Sequence, residues 1–334
     1  MLLVNPPLVK PSEPPAGIAR LAGALTASGI EYRLLDANLE GIYYLLNNSK
    51  SPSDTWTKRA FKNLGRNLEA LKNKDTYKNI GRYKRVVIDI NRLLSKTGME
   101  KGAKISLSDY QHKDLSALKN RDLIHAAADY ENNPFYPYFK DRLTDIIKTD
   151  KTTVAGFSIN YLSQAINAFS MIGLLRSRFP HIRIIVGGGL ITSWLRNPFW
   201  QNPFEKLIDH LVAGPGELPL LSILGKKING DEHFTPLYDQ LPFNDYLSPG
   251  FILPYSTSTG CYWGRCTFCP ERAEGNPYLQ IKPQKMISDI ENLAKQFNPS
   301  LIHFTDNAIS PAMLRSLSRS NLDIPWYGFV RVTS

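Results

Sequence analysis

The chain has 334 residues, of which 43% are hydrophobic and 11% aromatic, a composition typical of globular proteins with about two domains. It carries 40 Lys and Arg against 30 Asp and Glu, a net charge of +10, and contains three cysteines. No apolar run approaches the roughly 18 residues of a membrane span, and the first residues lack the features of a signal peptide. These features argue against a membrane protein and a disulfide-stabilised secreted protein, and predict a cytoplasmic location.

The first elements predict a parallel sheet. Residues 2–5 form an apolar run that ends at two prolines, which is typical of a buried strand. Residues 18–27 have helical apolar spacing, and residues 32–36 form a second apolar run. A strand, a helix and a strand in this order make a βαβ unit, whose two strands are parallel.

A basic helical insertion is predicted over residues 48–151. Helical periodicity occurs there in pieces, at 60–71, 86–94 and 139–147. From Lys50 to Lys151 there are 22 Lys and Arg against 13 Asp and Glu, so nearly all of the excess positive charge lies in this segment. Such faces can bind phosphate groups, but no aromatic–basic RNA-binding signature accompanies them. We therefore interpret them as solvated faces and predict no nucleic-acid partner.

Strand patterns resume after the insertion. Strands are predicted at 153–159, 182–186 and 207–212, with helices at 163–178 and 218–224. Each strand leads into a loop that contains Gly or Ser, and parallel strands deliver such loops to one carboxyl edge, where open α/β sheets bind cofactors. We predict that residues 1–47 and 152–225 form one Rossmann-like domain.

A second βα pattern follows a predicted exposed linker at 226–250. Strands are predicted at 255–259, 301–307 and 326–331, with helices at 283–297 and 311–317. Repeated βα units are typical of a barrel whose active site lies at the carboxyl ends of its strands. We assign residues 251–334 to an incomplete barrel.

All three cysteines lie in one loop, with the spacing C-x4-C-x2-C at Cys261, Cys266 and Cys269. Iron–sulfur clusters bind cysteine thiolates, and three cysteines leave one iron of a four-iron cluster open to another ligand. Gly260 and Gly264 permit the tight backbone of such a loop. A structural zinc site is the alternative, but it needs a fourth ligand, and the next histidine in the chain, His303, lies far downstream in a predicted strand.

At these residues the sequence resembles the radical S-adenosylmethionine superfamily, whose usual spacing is C-x3-C-x2-C with an aromatic residue before the last cysteine. Phe268 occupies that aromatic position, and one extra residue between Cys261 and Cys266 is a departure. The resemblance implies a 4Fe-4S cluster held by the three cysteines, with S-adenosylmethionine on the fourth iron and release of a 5′-deoxyadenosyl radical. It implies these contacts to S-adenosylmethionine: Phe268, Thr305, Asp306 and Arg331.

The Rossmann-like region resembles the cobalamin-binding domain that precedes the barrel in many radical S-adenosylmethionine enzymes. The resemblance lies in the Val4-Asn5-Pro6-Pro7 opening, in Ser158 and in the glycine triplet at 187–189. It implies cobalamin as a further cofactor, without the histidine ligand of the family's Asp-x-His-x-x-Gly loop, which has no counterpart here. The implied cobalamin contacts are Asn5, Pro6, Ser158, Gly187, Gly188 and Gly214. A plain Rossmann-like scaffold is the alternative, because glycine-rich strand ends occur in any doubly wound sheet.

Together these resemblances imply a transferase that uses radical chemistry for cobalamin-dependent methylation of a small metabolite or peptide. They also imply an external electron donor of the flavodoxin or ferredoxin type and no membrane partner. Two alternatives stay open: a radical enzyme whose front domain is only a scaffold, performing cyclisation, oxidation or methylthiolation, and a non-enzymatic cluster or zinc protein that binds a partner through its basic insertion.

The barrel of the superfamily has more strands than the three predicted here. An unpaired apolar edge strand is a liability in a free protein. We therefore expect a truncated chain, a gene fragment or a chain that a partner completes.

Overall fold

Two parallel sheets organise the protein. The computed structural model describes residues 1–49, 54–226 and 233–332. The strands are β1 (Leu2–Asn5), β2 (Arg33–Asp36), β3 (Ala103–Ile105), β4 (Tyr110–His112), β5 (Val154–Ser158), β6 (Arg183–Gly187), β7 (His210–Leu211), β8 (Ile252–Tyr255), β9 (Ser258–Thr259), β10 (Leu279–Gln280), β11 (Leu301–Ile309) and β12 (Trp326–Val330).

Helices cover both sheets, and a short 3₁₀ turn lies at Tyr130–Asn132. The helices are α1 (Ala16–Ala27), α2 (Ala37–Asn47), α3 (Thr55–Lys62), α4 (Leu64–Leu71), α5 (Lys74–Tyr77), α6 (Ile80–Met99), α7 (Asn120–Ala128), α8 (Tyr136–Thr149), α9 (Leu162–Arg178), α10 (Gly189–Arg196), α11 (Glu217–Ile223), α12 (Pro270–Ala273), α13 (Pro283–Phe297) and α14 (Pro311–Arg319). Among the described residues, none of these helices is both long and apolar enough to cross a bilayer.

The first sheet has five parallel strands in the order β2-β1-β5-β6-β7. This is the layout of a doubly wound α/β sheet, and it confirms the predicted α/β class with a Rossmann-like arrangement. In such sheets the crevice for ligands lies outside the carboxyl ends of the strands, where the order of the strands reverses. Here that point lies between β1 and β5.

The two faces of this sheet belong to two different apolar clusters. One face packs with α2, α9 and much of the 54–149 region, including Ile90 of α6 and Phe139 of α8, both almost fully buried. The helical insertion therefore shares its core with the sheet. The other face packs with α1, α11 and the second sheet in a separate cluster.

The second sheet has three parallel strands in the order β12-β11-β8. Along β11 the side chains alternate: Ile302, Phe304 and Asp306 are buried, while Thr305 and Asn307 are exposed. The face with Ile302 and Phe304 packs in the apolar core. The opposite face is open at Thr305 and Asn307, but His303 on it contacts the Glu13 carboxylate at 2.8 Å. β12 is one of the two edge strands of this sheet, and Phe329 on it is 72% exposed.

The predicted exposed linker at 226–250 is wrong for residues 233–250, which pack against the rest of the protein, whereas residues 227–232 lie outside the described part of the chain. Tyr238, Leu241 and Tyr246 are buried. The backbone N–H of Leu237 donates to the carbonyl of Ala19 at 2.9 Å, and Tyr246 donates to the buried Asp36 carboxylate at 2.7 Å. Tyr238 and Leu241 pack in the cluster on the α1 side of the first sheet, and Leu247 packs in the cluster on the other face. The turn-rich composition of the segment gave no sign of this packing.

Other differences from the sequence predictions are local. The strand predicted at 207–212 is reduced to His210–Leu211, because it is an edge strand that pairs only with β6. The helix predicted at 60–71 divides at Asn63, which ends α3 and precedes α4. The β3–β4 hairpin and α10 are additional elements that the periodicity did not predict.

A buried carboxylate joins the connecting segment, β8 and α13. Asp289 accepts hydrogen bonds from His233 at 2.7 Å, Thr235 at 2.8 Å and Tyr255 at 2.9 Å. It also forms an ion pair with Lys285 at 2.9 Å. Burial alone raises the pKa of Asp289, but these hydrogen bonds outweigh it and hold the pKa below its ordinary value of 3.8. The carboxylate therefore stabilises the fold in its charged form.

Replacing Asp289 tests this assignment. We expect Asp289→Asn to lower the free energy of unfolding at pH 7 by about 2–4 kcal/mol, because it removes the charge at the centre of the network. A lowered pKa stabilises the fold above the unfolded-state pKa, and this contribution is lost as the pH falls through the folded-state pKa. The gap between wild type and variant should therefore narrow below about pH 4.

Urea unfolding at several pH values measures this gap. Asp323→Asn, at an exposed loop position, is the matched control and should change stability by less than about 0.5 kcal/mol. An Asp289→Asn variant as stable as wild type at pH 7 would contradict the assignment.

Candidate functional site

A cavity of about 650 Å³ lies between the carboxyl edge of the first sheet and the loop that carries the cysteines. Its volume is within the range of small-molecule and cofactor sites. Residues from α1, β5, β6 and α11 form one wall, and the segments on both sides of the cysteines form the other. The cavity is therefore built where the topology of a doubly wound sheet places ligands.

The sheet wall is lined by small residues. Ser158 ends β5, Gly187 ends β6, and Gly188 and Gly214 follow β6 and β7, and all four line the cavity. Gly188 has φ +109°, and a Cβ there would lie 2.4 Å from the carbonyl oxygen of Ile159. Only glycine fits at this position, so the backbone itself forms the wall.

The opposite wall holds polar atoms without partners. The Thr259 hydroxyl, the Glu271 carboxylate oxygen Oε2 and the Asn276 carbonyl oxygen Oδ1 are buried and have no hydrogen-bond partner among the described residues. All three residues line the cavity. A buried polar atom without a partner costs about 1–3 kcal/mol, so the segment on this side of the cavity carries a local cost in stability.

A hydrogen bond connects the two walls. Ser193 of α10 donates to Glu274 at 2.5 Å, and the amide of Asn276 donates to the other oxygen of Glu274 at 2.8 Å. At the α1 side, Arg20 forms an ion pair with the buried Glu217 at 2.5 Å. Both ends of the cavity are thus held by polar contacts between different elements.

The three cysteines lie within nine consecutive residues, 261–269, next to the cavity wall. All three are free thiols of intermediate exposure. The loop turns at Gly260, with φ +71°, and at Gly264, with φ +55°. Within the described part of the chain, no three His, Cys, Asp or Glu side chains are arranged as a metal site.

The donor set nevertheless fits an iron–sulfur cluster in its chemistry. Three thiols in one short, partly exposed loop supply soft ligands of the kind that iron–sulfur clusters bind. Gly260 is essential to the loop, because a Cβ there would lie 2.5 Å from the carbonyl oxygen of Pro277. The path of the loop is thus set by backbone packing.

Asp306 holds the entry to the cysteine loop. It is 2% exposed and accepts hydrogen bonds from the backbone N–H of Thr257 at 2.9 Å, the Thr257 hydroxyl at 2.8 Å and the Ser258 hydroxyl at 2.6 Å. These contacts lock β11 to the residues that lead into the loop. Asp306 therefore has hydrogen-bond donors within the chain that give it a structural role. Its contact to S-adenosylmethionine stays a prediction.

The other residues predicted to contact S-adenosylmethionine are dispersed around the loop. Phe268 is 89% exposed, and Thr305 is exposed on the open face of β11. The Arg331 guanidinium stacks on Trp263, 3.4 Å from the centre of its ring, and Arg265 lies 5.0 Å from the same ring. Trp263 thus connects the cysteine loop to the end of β12.

Two of the predicted cobalamin contacts lie apart from the cavity. The Asn5 amide donates to Asp36 at 2.9 Å, and Gln164 donates to the side chain of Asn5 at 3.1 Å and to the carbonyl of Pro6 at 2.9 Å. Neither Asn5 nor Pro6 lines the cavity, whereas Ser158, Gly187, Gly188 and Gly214 do. Burial by itself raises the pKa of Asp36, and the hydrogen bonds to its carboxylate only partly offset this effect.

The polar residues that follow the cysteines in the cavity wall were not among the predicted site residues. Glu271, Glu274 and Asn276 follow Cys269 directly, so their nearness to the cysteine motif could have served as a signal. Arg20 and Glu217 carried no such signal, because α1 and α11 meet only through the folding of the sheet.

Comparisons with protein-family models, with curated proteins and with solved structures found no match for this chain.

A substitution at Gly188 of the sheet wall tests the backbone geometry of the cavity directly. Gly188→Ala should lower the free energy of unfolding by about 1–3 kcal/mol, because the methyl group collides with a carbonyl at a left-handed φ. Gly65→Ala in α4 is the control: a methyl group there would meet no atom within 4 Å, so stability should stay equal or rise by up to about 1 kcal/mol. Chemical denaturation measures both, and equal effects would contradict the geometry.

Proposed function

We propose that this chain is a radical S-adenosylmethionine enzyme, or the part of one that binds its cofactors, and that it catalyses cobalamin-dependent methyl transfer to a small metabolite or peptide. The observation that carries the proposal is the position of the cysteine loop. The loop comes after β8, a strand of the second sheet, and the short strand β9. Residues on both sides of the cysteines line the cavity at the carboxyl edge of the first sheet.

Each residue then has a proposed role. Cys261, Cys266 and Cys269 would hold three irons of a 4Fe-4S cluster, which with bound S-adenosylmethionine supplies one-electron chemistry that protein side chains lack. Gly260 and Gly264 shape the loop, and Asp306 holds its entry in place. The cysteines are partly exposed, which favours electron transfer from an external donor protein.

The glycines of the sheet wall support the cobalamin part of the proposal. Gly187, Gly188 and Gly214 leave a flat surface free of side chains, against which a broad ligand can lie. Ser158 adds one hydroxyl to this surface, which the amide of Asn160 contacts at 3.2 Å. A broad ligand placed there would have the cysteine segment on its other side, so a methyl carrier and the radical centre would share one chamber.

Cluster formation is the first test. Protein reconstituted with iron and sulfide without oxygen should absorb broadly near about 400 nm, and each of Cys261→Ala, Cys266→Ala and Cys269→Ala should lose most of this absorbance. Thr267→Ala, an exposed position in the same loop, is the control and should keep it. Stoichiometric zinc with no such absorbance in wild type would overturn the radical assignment.

Corrinoid binding is the second test. Gly214 has φ +71° with open space around it, and Asn tolerates a left-handed φ better than most residues, so Gly214→Asn should add a side chain to the cavity at a small cost in stability and weaken hydroxocobalamin binding at least about tenfold. Gly29→Asn is the matched control, because Gly29 has nearly the same φ as Gly214, +66°, and open space around it. Gly29 lies before the amino end of β2, away from the cavity, so this substitution should leave binding unchanged. Gel filtration with hydroxocobalamin measures both, and colourless wild-type protein would remove the cobalamin assignment.

A further inference from the structure

The surface of the cysteine loop carries three arginines that meet at one tryptophan. Arg265 lies beside Cys266 in the chain, Arg272 is in α12, and Arg331 follows β12, and all three are exposed. The guanidinium of Arg331 lies 3.4 Å and that of Arg265 5.0 Å from the centre of the Trp263 ring. Arg272 donates a hydrogen bond to the carbonyl oxygen of Arg265 at 2.9 Å. These three arginines, the arginine patch, therefore form one cationic surface.

No carboxylate of the described residues forms an ion pair with the arginine patch, because the ion-paired arginines all lie elsewhere in the chain. Glu274, two residues after Arg272, instead accepts hydrogen bonds from Ser193 and Asn276. One carboxylate oxygen of Glu271 is buried. The positive charge of the patch is therefore left for a partner outside the chain.

The arginine patch lies at the cysteines. Arg265 and Arg272 are within three residues of Cys266 and Cys269, whose thiols are partly exposed. Arginine and aromatic residues are enriched at protein–protein interfaces, and this patch has Trp263 at its centre. Complementary charge steers two proteins together, which suits the small, weak interfaces of electron-transfer proteins. The basic insertion carries more positive charge but contains no cysteine.

We propose that the arginine patch binds an acidic electron-transfer protein, which delivers one electron to the cluster held by the three cysteines. The inference rests on the proposed function, which needs an external donor. It adds the surface at which the donor binds and the charge that the donor must carry. One electron passes from the reduced donor to the cluster, and no proton or atom is transferred.

Binding of flavodoxin, an acidic flavin protein, tests the docking surface. Titration followed by flavin fluorescence should show a Kd that rises at least about tenfold from about 0.05 to about 0.5 M NaCl, because salt screens the attraction. The double variant Arg265→Glu, Arg272→Glu should weaken binding at low salt at least about tenfold, because it replaces attraction by repulsion. Arg331 is left unchanged, since a contact to S-adenosylmethionine is predicted for it.

The double variant Arg82→Glu, Arg85→Glu is the matched control, because both positions are exposed on α6 in the basic insertion and the change of charge is the same. It should weaken binding less than about threefold, since distant exposed charges are screened. Equal weakening by the two double variants would overturn the inference, because the net charge alone would then explain binding. A patch that binds a single-stranded oligonucleotide in place of flavodoxin would overturn it as well.

Reduction of the reconstituted cluster separates this inference from the proposed function. Reduced flavodoxin should bleach the absorbance near about 400 nm at least about tenfold more slowly in Arg265→Glu, Arg272→Glu than in wild type. Photoreduced deazaflavin, a small neutral reductant, should bleach both at the same rate, because it needs no charged docking surface.

Reduction by flavodoxin that neither salt nor this double variant slows overturns the inference, while the cluster assignment stands. If wild type forms no cluster, the radical assignment fails and the inference fails with it. Circular dichroism of each variant verifies that it is folded.

Discussion

The site depends on one apolar cluster that the two sheets share. Leu3 and Ile18 of the first sheet's layer, Tyr238 of the connecting segment, and Leu253 and Phe304 of the second sheet belong to the same buried core. Burial of this surface is the main force that holds the two βα layers against each other. Because both sheets are parallel, each brings its loops to its carboxyl edge, and the shared core holds those edges around one cavity.

Polar contacts then fix the relative positions of segments that apolar packing alone does not specify. Asp289 ties the connecting segment to β8 and α13, and Asp306 ties β11 to the entry of the cysteine loop. Both carboxylates are almost fully buried and fully engaged with neighbouring donors. Buried charges of this kind add specificity of position, since an alternative packing would leave a charge without partners. The cysteine loop can therefore be partly exposed and still begin from a rigid base.

Charge is distributed unevenly between surface and cavity. The excess of Lys and Arg lies in the 50–151 segment, whereas the cavity lining carries three glutamates against one arginine. The basic segment packs its apolar side on the far face of the first sheet, away from the cavity. These two features belong to separate surfaces, so the net charge of the chain is no guide to the ligand of the cavity.

The sequence by itself determined the α/β class, most strands of both sheets and the three cysteines, because apolar periodicity and ligand spacing are local properties. The loops at Ser158 and Gly187 were also predictable, since strand ends of a parallel sheet meet at one edge. Only the tertiary structure decided that residues 233–250 are buried, that Asn5 belongs to a core network, and that Arg20, Glu217 and Glu271 face one cavity. Those contacts join residues far apart in the chain, and no local pattern encodes which distant surfaces bury each other.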